Sequence, residues 1–493
     1  MRPELATAIP LFIALGGVVT YLWAKLLPPS ARRWTGSVAA IWFLSAFGLL
    51  LFASGGSSSD TASAIFPVLT ASYLGITLGL LATGIGALAA WASQGRIDPQ
   101  GPVQLYYPLL LFALAGTAAI GFCTDLFTMF VAVELSAISS YILVAYNYRQ
   151  NPQALSAAIK YFVQGVAGTI TALMGIALLY LAGQTLTISE LPAALATADP
   201  LIIGFAAILI LVGYGVKLAI VPLHTWLPDT YVTAPSGVTA ILTGATKGGV
   251  LIALFLSLSA LPASSGIPVF IGITICLLAV LTMTAGNLIA LIQPDLTRVL
   301  AYSSIAQMGY ILLAFGIALQ YNLLLGIEAG IFYVIAYGIM KGGAFLAADQ
   351  FVLAAGSPET ARMKGLGIRH PVLGLSFTVF ILGLIGVPLT AGFLGKLLVI
   401  QAGVAVSTIF GTVLVLILAA NSVISLGYYV PILSTLLFQE NKHAPVTRLV
   451  VPLTITLSVA ALAGITIYFG LFPQALFSVI AQFSGTLLPG GVP

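Results

Sequence analysis

Apolar windows of roughly 17–25 residues, the length a helix needs to cross about 30 Å of hydrocarbon, recur along the whole chain. They fall near 6–26, 37–54, 66–91, 105–121, 125–146, 157–182, 201–222, 236–260, 267–289, 299–318, 323–348, 372–400, 408–433 and 450–472. Lipid offers no partners to free N–H and C=O groups, so windows this long and this apolar must be helical. Fourteen spans are therefore expected, with the stretch after Leu471 open to an interfacial position. Residues that are 60% hydrophobic and only 6% charged exclude a soluble or disordered chain of 493 residues. Met1 leads almost directly into apolar sequence behind Arg2, without a small-residue cleavage site, so the first window is read as a retained span.

The few charges test this count. With the N-terminus outside, the loops after odd-numbered spans, or their helix ends, carry Lys25, Arg32, Arg33, Arg96, Arg149, Arg298, Arg362, Lys364, Arg369, Lys442 and Arg448. The other loops carry no Lys or Arg, which satisfies the positive-inside rule with both termini outside. Of the 17 basic residues, Arg2 and five lysines are left, and all five fall within spans: Lys160, Lys217, Lys247, Lys341 and Lys396. A lysine at the centre of a membrane helix costs roughly 2.5–3.5 kcal/mol, so each is a functional hypothesis. The acids are fewer. Glu134 lies well inside span five and Glu328 near the outer end of span eleven, whereas Asp60, Asp125, Glu190, Asp199, Asp229, Asp295, Asp349, Glu359 and Glu440 sit at ends or in loops.

Two spans are broken. In residues 213–249, GYGVKLAIVPLHTWLPDTYVTAPSGVTAILTGATKGG, Pro222, Pro228 and Pro235 lie between Lys217 and Lys247. Each removes a backbone donor, so this segment should line a protein-walled or hydrated cavity. In span twelve, Pro388, Gly392 and Gly395 interrupt the helix just before Lys396. Interrupted spans at corresponding positions point to inverted repeats. The expected division is helices one to three in 1–104, a first five-helix repeat in 105–260, a second in 261–433, and a loop, last helix and tail in 434–493. Lys160 would then correspond to Lys341.

A carboxylate and several amines in a low-dielectric interior suit proton relay, because position and charge of one partner load or unload the other. Glu134 and Lys217 form the candidate coupled pair, Lys247 the middle station and Lys396 the far gate. Lys160, Lys341 and His224 are secondary candidates, His224 being open both to a gating role and to a solvated loop position. Snorkelling is the structural alternative for the lysines, above all for Lys160 and Lys341, and an inter-helix contact is the alternative for Glu134. Glu328 reads as interfacial. Thr243, Thr246, Ser303 and Ser304 suit either water binding or helix contact. Cys123 and Cys276 form no Cys-rich motif, and His224, His370 and His443 are dispersed, so no local metal or iron–sulfur motif exists and any redox chemistry belongs to a partner chain.

Three strings carry a family resemblance: VKLAIVPLHTWLPDTYVTAPSGVTAILTGATKGG across spans seven and eight, RVLAYSSIAQMGYILLA in span ten, and MKGLGIRHPVLGLSFTVFILGLIGVPLTAGFLGKLLVI around span twelve. With a glutamate in span five and lysines in seven, eight and twelve, they resemble the antiporter-like, proton-translocating membrane subunits of respiratory complex I, a family shared with Mrp-type cation/proton antiporters. NSVISLGYYVPIL, residues 421–433, resembles span thirteen of the family's N-type subunits, and Lys396 stands where M-type subunits are expected to have glutamate.

The resemblance implies a 14-helix core of two inverted five-helix repeats with discontinuous helices seven and twelve. It implies relay roles for Glu134, Lys217, Lys247 and Lys396 within a subunit of a multisubunit oxidoreductase. Flavin and iron–sulfur clusters would lie on partner subunits, with none on this chain. Implied partners are further antiporter-like membrane subunits, the lipid bilayer and a quinone-type carrier bound elsewhere, with no nucleic acid. The implied location is a prokaryotic cell membrane or another energy-coupling membrane. Two other readings stand beside it: an Mrp-type antiporter subunit, and a non-pumping membrane scaffold.

Overall fold

The computed structural model describes residues 2–54, 68–94, 96–97, 102–439 and 451–488. Asp60, Glu440, Lys442 and Arg448, assigned to loops from the sequence, and His443, one of the dispersed histidines, lie outside them. The chain runs through α1 (Arg2–Leu26), α2 (Thr35–Ser54), α3 (Tyr73–Ser93), α4 (Val103–Ile120), α5 (Leu126–Val144) and α6 (Pro152–Gly183). The seventh span is two pieces, α7 (Pro200–Leu218) and α8 (Leu227–Thr233). Then follow α9 (Ser236–Ser259), α10 (Ile267–Leu291), α11 (Leu296–Tyr321) and α12 (Leu324–Ala355). The twelfth span is again two pieces, α13 (Pro371–Ile385) and α14 (Ala391–Ala405), before α15 (Ile409–Phe438), α16 (Leu453–Leu471) and a short α17 (Gln474–Ile480). Among the described residues the extended pairings are isolated bridges between loops, Leu69 with Cys123, Asp125 with Thr187, and Asp295 with Glu359.

Among the described residues thirteen helices are long and apolar enough to cross a membrane, and α13 with α14 accounts for the remaining expected window. Span six starts earlier than its hydropathy indicates because Asn151 caps it, its side chain accepting from Gln153 N at 3.1 Å with Pro152 at the first helical position. Lys160 therefore stands two turns along α6 rather than in its first turn. The first break is set where α7 ends at Ala219, in the left-handed region at φ 57°. The second is set by Gly386 at φ 95°, a conformation that favours glycine.

Burial sorts the helices. The apolar stretches of α9 and α12 are wholly enclosed and that of α11 is 94% enclosed, whereas α2, α6, α15 and α16 keep large apolar side chains outward, as a lipid-facing ring does. The central crossing is unusually close. A Cβ on Gly244 of α9 would meet the Gly338 carbonyl oxygen of α12 at 3.0 Å, so two glycines let backbone touch backbone at the centre of the bundle. Lys217, Lys247, Lys341 and Lys396 are carried on or beside these enclosed helices.

Candidate functional site

Glu134 lies on α5, a helix started by Asp125, whose side chain accepts from Phe127 N at 3.0 Å and Thr128 N at 2.8 Å. Lys217 lies in the last turn of α7, just before the break. The two meet: Lys217 Nζ is 3.1 Å from Glu134 Oε1 and donates to the Tyr141 hydroxyl at 3.1 Å. The carboxylate oxygen lies beside the amine without alignment for a hydrogen bond of its own, the directed bond going to Tyr141. The lysine side chain is 5% exposed and that of Glu134 20%, so the glutamate is the more open member of the pair.

The break is satisfied by protein. Trp226 Nε1 donates to Val216 O at 2.7 Å, taking a carbonyl freed at the end of α7, and Val221 N donates to Thr282 Oγ1 of α10 at 3.1 Å. Irregular backbone at membrane depth needs such partners. His224 stands in the break, partly exposed, next to Thr225, which bonds to Gln164 of α6.

In α9 the regular helix gives way to a π turn over Leu242–Thr246, with Lys247 N bonded to Leu242 O. Thr243 Oγ1 reaches back to Thr239 O at 2.7 Å, a bond that bends helices. Single π turns recur at functional sites, and this one ends at Lys247. The amine of Lys247 is buried, has no hydrogen-bond partner among the described residues, and lies 5.6 Å from the centre of the Tyr231 ring. Thr246 Oγ1 and the Tyr231 hydroxyl are likewise unpartnered. A cavity of about 10 Å³, lined by Tyr161, Lys217, Trp226, Tyr231, Thr246 and Lys247 among others, lies between the two lysines. That is about the space one water needs, and its polar rim supplies partners for one.

Lys341, in the enclosed stretch of α12, donates to Leu300 O at 2.8 Å and to Ser303 Oγ. Lys396, in α14, donates to Leu384 O at 3.0 Å and Ile385 O at 2.8 Å, the carbonyls that the second break sets free. Gln307 Nε2 shares Leu384 O at 3.0 Å, and the Tyr333 hydroxyl donates to Gln307 Oε1 at 2.5 Å.

Each of these four lysines also faces an aromatic ring: Lys217 that of Tyr141 at 5.6 Å, Lys247 that of Tyr231 at 5.6 Å, Lys341 that of Phe345 at 5.8 Å and Lys396 that of Tyr310 at 4.7 Å. The rings touch in series from Tyr141 to Tyr161, Trp226, Tyr231 and Phe345. These rings were not singled out from the sequence. Only Lys341 and Phe345, four apart on one helix face, offered a local signal for the pairing.

Lys160 lies apart from this line. Its amine binds Asp229 Oδ2 at 2.8 Å, both side chains partly exposed, and Arg298 approaches the other oxygen at 3.3 Å. The span-six lysine is thus tied into an ion cluster at the arginine-bearing end of the bundle, not held at its centre beside Lys341. At the same end Arg96 forms a two-pronged pair with Asp349, at 2.9 and 2.8 Å, which also accepts from Ser236 Oγ at 3.1 Å. Glu328 accepts from Ser484 Oγ at 3.3 Å, under the C-terminal segment. Among the described residues no three His, Cys, Asp or Glu side chains converge.

Comparison with known proteins places this arrangement. Residues 123–424 match the family described as NADH:quinone oxidoreductase/Mrp antiporter, TM. The chain is 32% identical over 512 residues to F(420)H(2) dehydrogenase subunit N of Methanosarcina mazei, covering 99% of this chain and 100% of that one. It is 36% identical over 426 residues to NADH-quinone oxidoreductase subunit N of Chlorobium chlorochromatii, covering 84% and 81%. A chain in the structure of respiratory complex I from Thermus thermophilus with bound Aureothin superposes with a TM-score of 0.77 at 26% identity, over 95% of this chain and 98% of that one. Matched through both broken spans and all four buried lysines, and nearly end to end with a subunit N, the chain belongs to the NADH:quinone oxidoreductase/Mrp antiporter transmembrane family.

Proposed function

We propose that the chain is a proton-translocating membrane subunit of a complex I-like, redox-driven pump, of the subunit N type, and that its buried carboxylate–lysine line moves the proton. Partner subunits carry the flavin and iron–sulfur centres and reduce a quinone or analogous carrier. The observation that carries the reading is the Glu134–Lys217 pair set at the mouth of a broken helix, with Lys247 across a water-sized cavity. A change at the carboxylate, on the more open member of the pair, alters what Lys217 is paired with and so its hold on a proton. Lys217 then exchanges with Lys247 through a water in the cavity, and Lys341 and Lys396 continue the line into the second half.

The pump works against roughly 2.3 kcal/mol per charge for each 100 mV, so the line must be gated. The packed ring series beside it leaves little room for a continuous file of water. The two broken helices fit two inverted repeats, 105–260 and 261–433, with the arginine-bearing end cytoplasmic and both termini outside. Lys160 and His224 serve the cytoplasmic mouth.

The test is proton pumping by the assembled complex in sealed vesicles. Lys217→Ala should abolish it, and an unchanged proton-to-electron ratio would refute the role. The family also includes Mrp-type antiporters; sodium-for-proton exchange by the assembly without an electron donor would favour that second reading.

A further inference from the structure

We propose that Asn287 is a positioning residue for Lys396, acting through the ring of Tyr310. The inference rests on the reading of Lys396 as a relay member. A lysine ammonium has three N–H donors and no acceptor. Two point to Leu384 O and Ile385 O, and the remaining side of Nζ is covered by the face of Tyr310 at 4.7 Å. The stem reaches this position past Gly386, where a Cβ would meet Lys396 Cδ at 3.1 Å. The carbonyls are set by the helix break itself. The ring is a side chain and needs something to hold it.

That hold is an amide network, buried at Asn287, Tyr310, Asn421 and Tyr428, reaching two other helices. Asn287 Nδ2 has two N–H donors: it donates to the Tyr310 hydroxyl at 3.0 Å and, by a shared bond, to the backbone O and side-chain Oδ1 of Asn421, each at 3.1 Å. A backbone carbonyl can only accept, so the atom facing Asn421 O must be the nitrogen, which fixes the amide's orientation. Asn287 Oδ1 then accepts from the Tyr428 hydroxyl at 2.8 Å. Asn421 is itself pinned, its Nδ2 donating to Thr284 Oγ1 at 3.1 Å and Ile417 O at 3.0 Å. Asn287 and Tyr310 are 0% exposed. An amide neither gains nor loses a proton near neutral pH, so Asn287 is no station of the relay. Its effect is to lock the tilt of one ring beneath one amine.

Proton-to-electron ratios, measured per assembled complex in sealed vesicles, test this. Tyr310→Leu removes the ring and should lower the ratio and the pumping rate roughly ten-fold, the range of a desolvated cation–ring contact. Asn287→Ala and Tyr310→Phe each keep a ring but cut its tether. They should give equal, smaller losses, and the double variant should lose no more than either alone. Additive losses from Asn287→Ala and Tyr310→Phe, or a normal ratio in both, would overturn the proposal. So would a fall in the amount of assembled complex with an unchanged ratio, since that marks a structural role. Lys396→Ala separates the two levels. If it pumps normally, the relay reading of Lys396 fails and this inference with it; if it is inactive while the tether variants are additive, the inference alone fails.

Discussion

Glu134 and Lys217 stand 3.1 Å apart on helices α5 and α7, with the lysine buried and the glutamate partly exposed. Replacing Glu134 with Gln keeps the shape and removes the charge. A hydrogen bond or pairing to a charged group is worth about 1.5–3 kcal/mol, so pumping should fall roughly ten- to hundred-fold with the complex still assembled. Vesicle acidification against electron-transfer rate reads this directly; equal loss of both would indicate damage elsewhere.

Lys247 makes the opposite test possible, because its amine has no hydrogen-bond partner among the described residues. An unpaired buried amine is a net cost to the fold. Lys247→Met should leave thermal stability in detergent equal or higher while ending proton transport. A loss of stability would mean that the amine has a structural partner.

The Gly244–Gly338 crossing is expected to tolerate nothing larger. A methyl on Gly338 would be driven into the Gly244 carbonyl, and backbone cannot swing aside. Gly338→Ala should cost about 1–3 kcal/mol by overpacking, seen as a lower melting temperature and less assembled complex. Gly48, whose Cβ would meet nothing within 4 Å, is the control: Gly48→Ala should be silent.

Asp229 joins Lys160 and Arg298 at a partly exposed end of the bundle. Exposed pairs contribute roughly 0–1 kcal/mol each and weaken with salt. Asp229→Asn should therefore lower stability by about 1 kcal/mol, less at high salt, and reduce pumping far less than Lys217→Ala. Pumping lost as fully as in Lys217→Ala would move Asp229 into the transport line itself.

The pattern of what could be read in advance is itself physical. Both breaks, near Pro222 and Pro388, were legible because proline acts on the backbone where it stands, whereas Gly392 and Gly395, read as part of the second break, lie inside α14 and the left-handed turn falls at Gly386. The π turn before Lys247 was not, since it depends on how Thr243 bonds back within a helix pressed against α12. Lys160 and Lys341 looked alike as lysines in apolar windows, yet one reaches a partly exposed carboxylate and the other is fully enclosed beside Ser303. Hydropathy counts neighbours along the chain, and these two differ only in neighbours across it.

The sequence by itself determined the membrane-spanning helices, their breaks and the presence of lysines too costly to bury without purpose, because length, hydropathy and proline chemistry are properties of contiguous residues. Tertiary structure alone decided what each amine faces: Glu134 and Tyr141 for Lys217, a ring and a small cavity for Lys247, two freed carbonyls and a tethered tyrosine for Lys396. Most of those partners come from other helices, some more than seventy positions away, as Tyr141 is from Lys217, and only the packing of one helix on another brings them within reach.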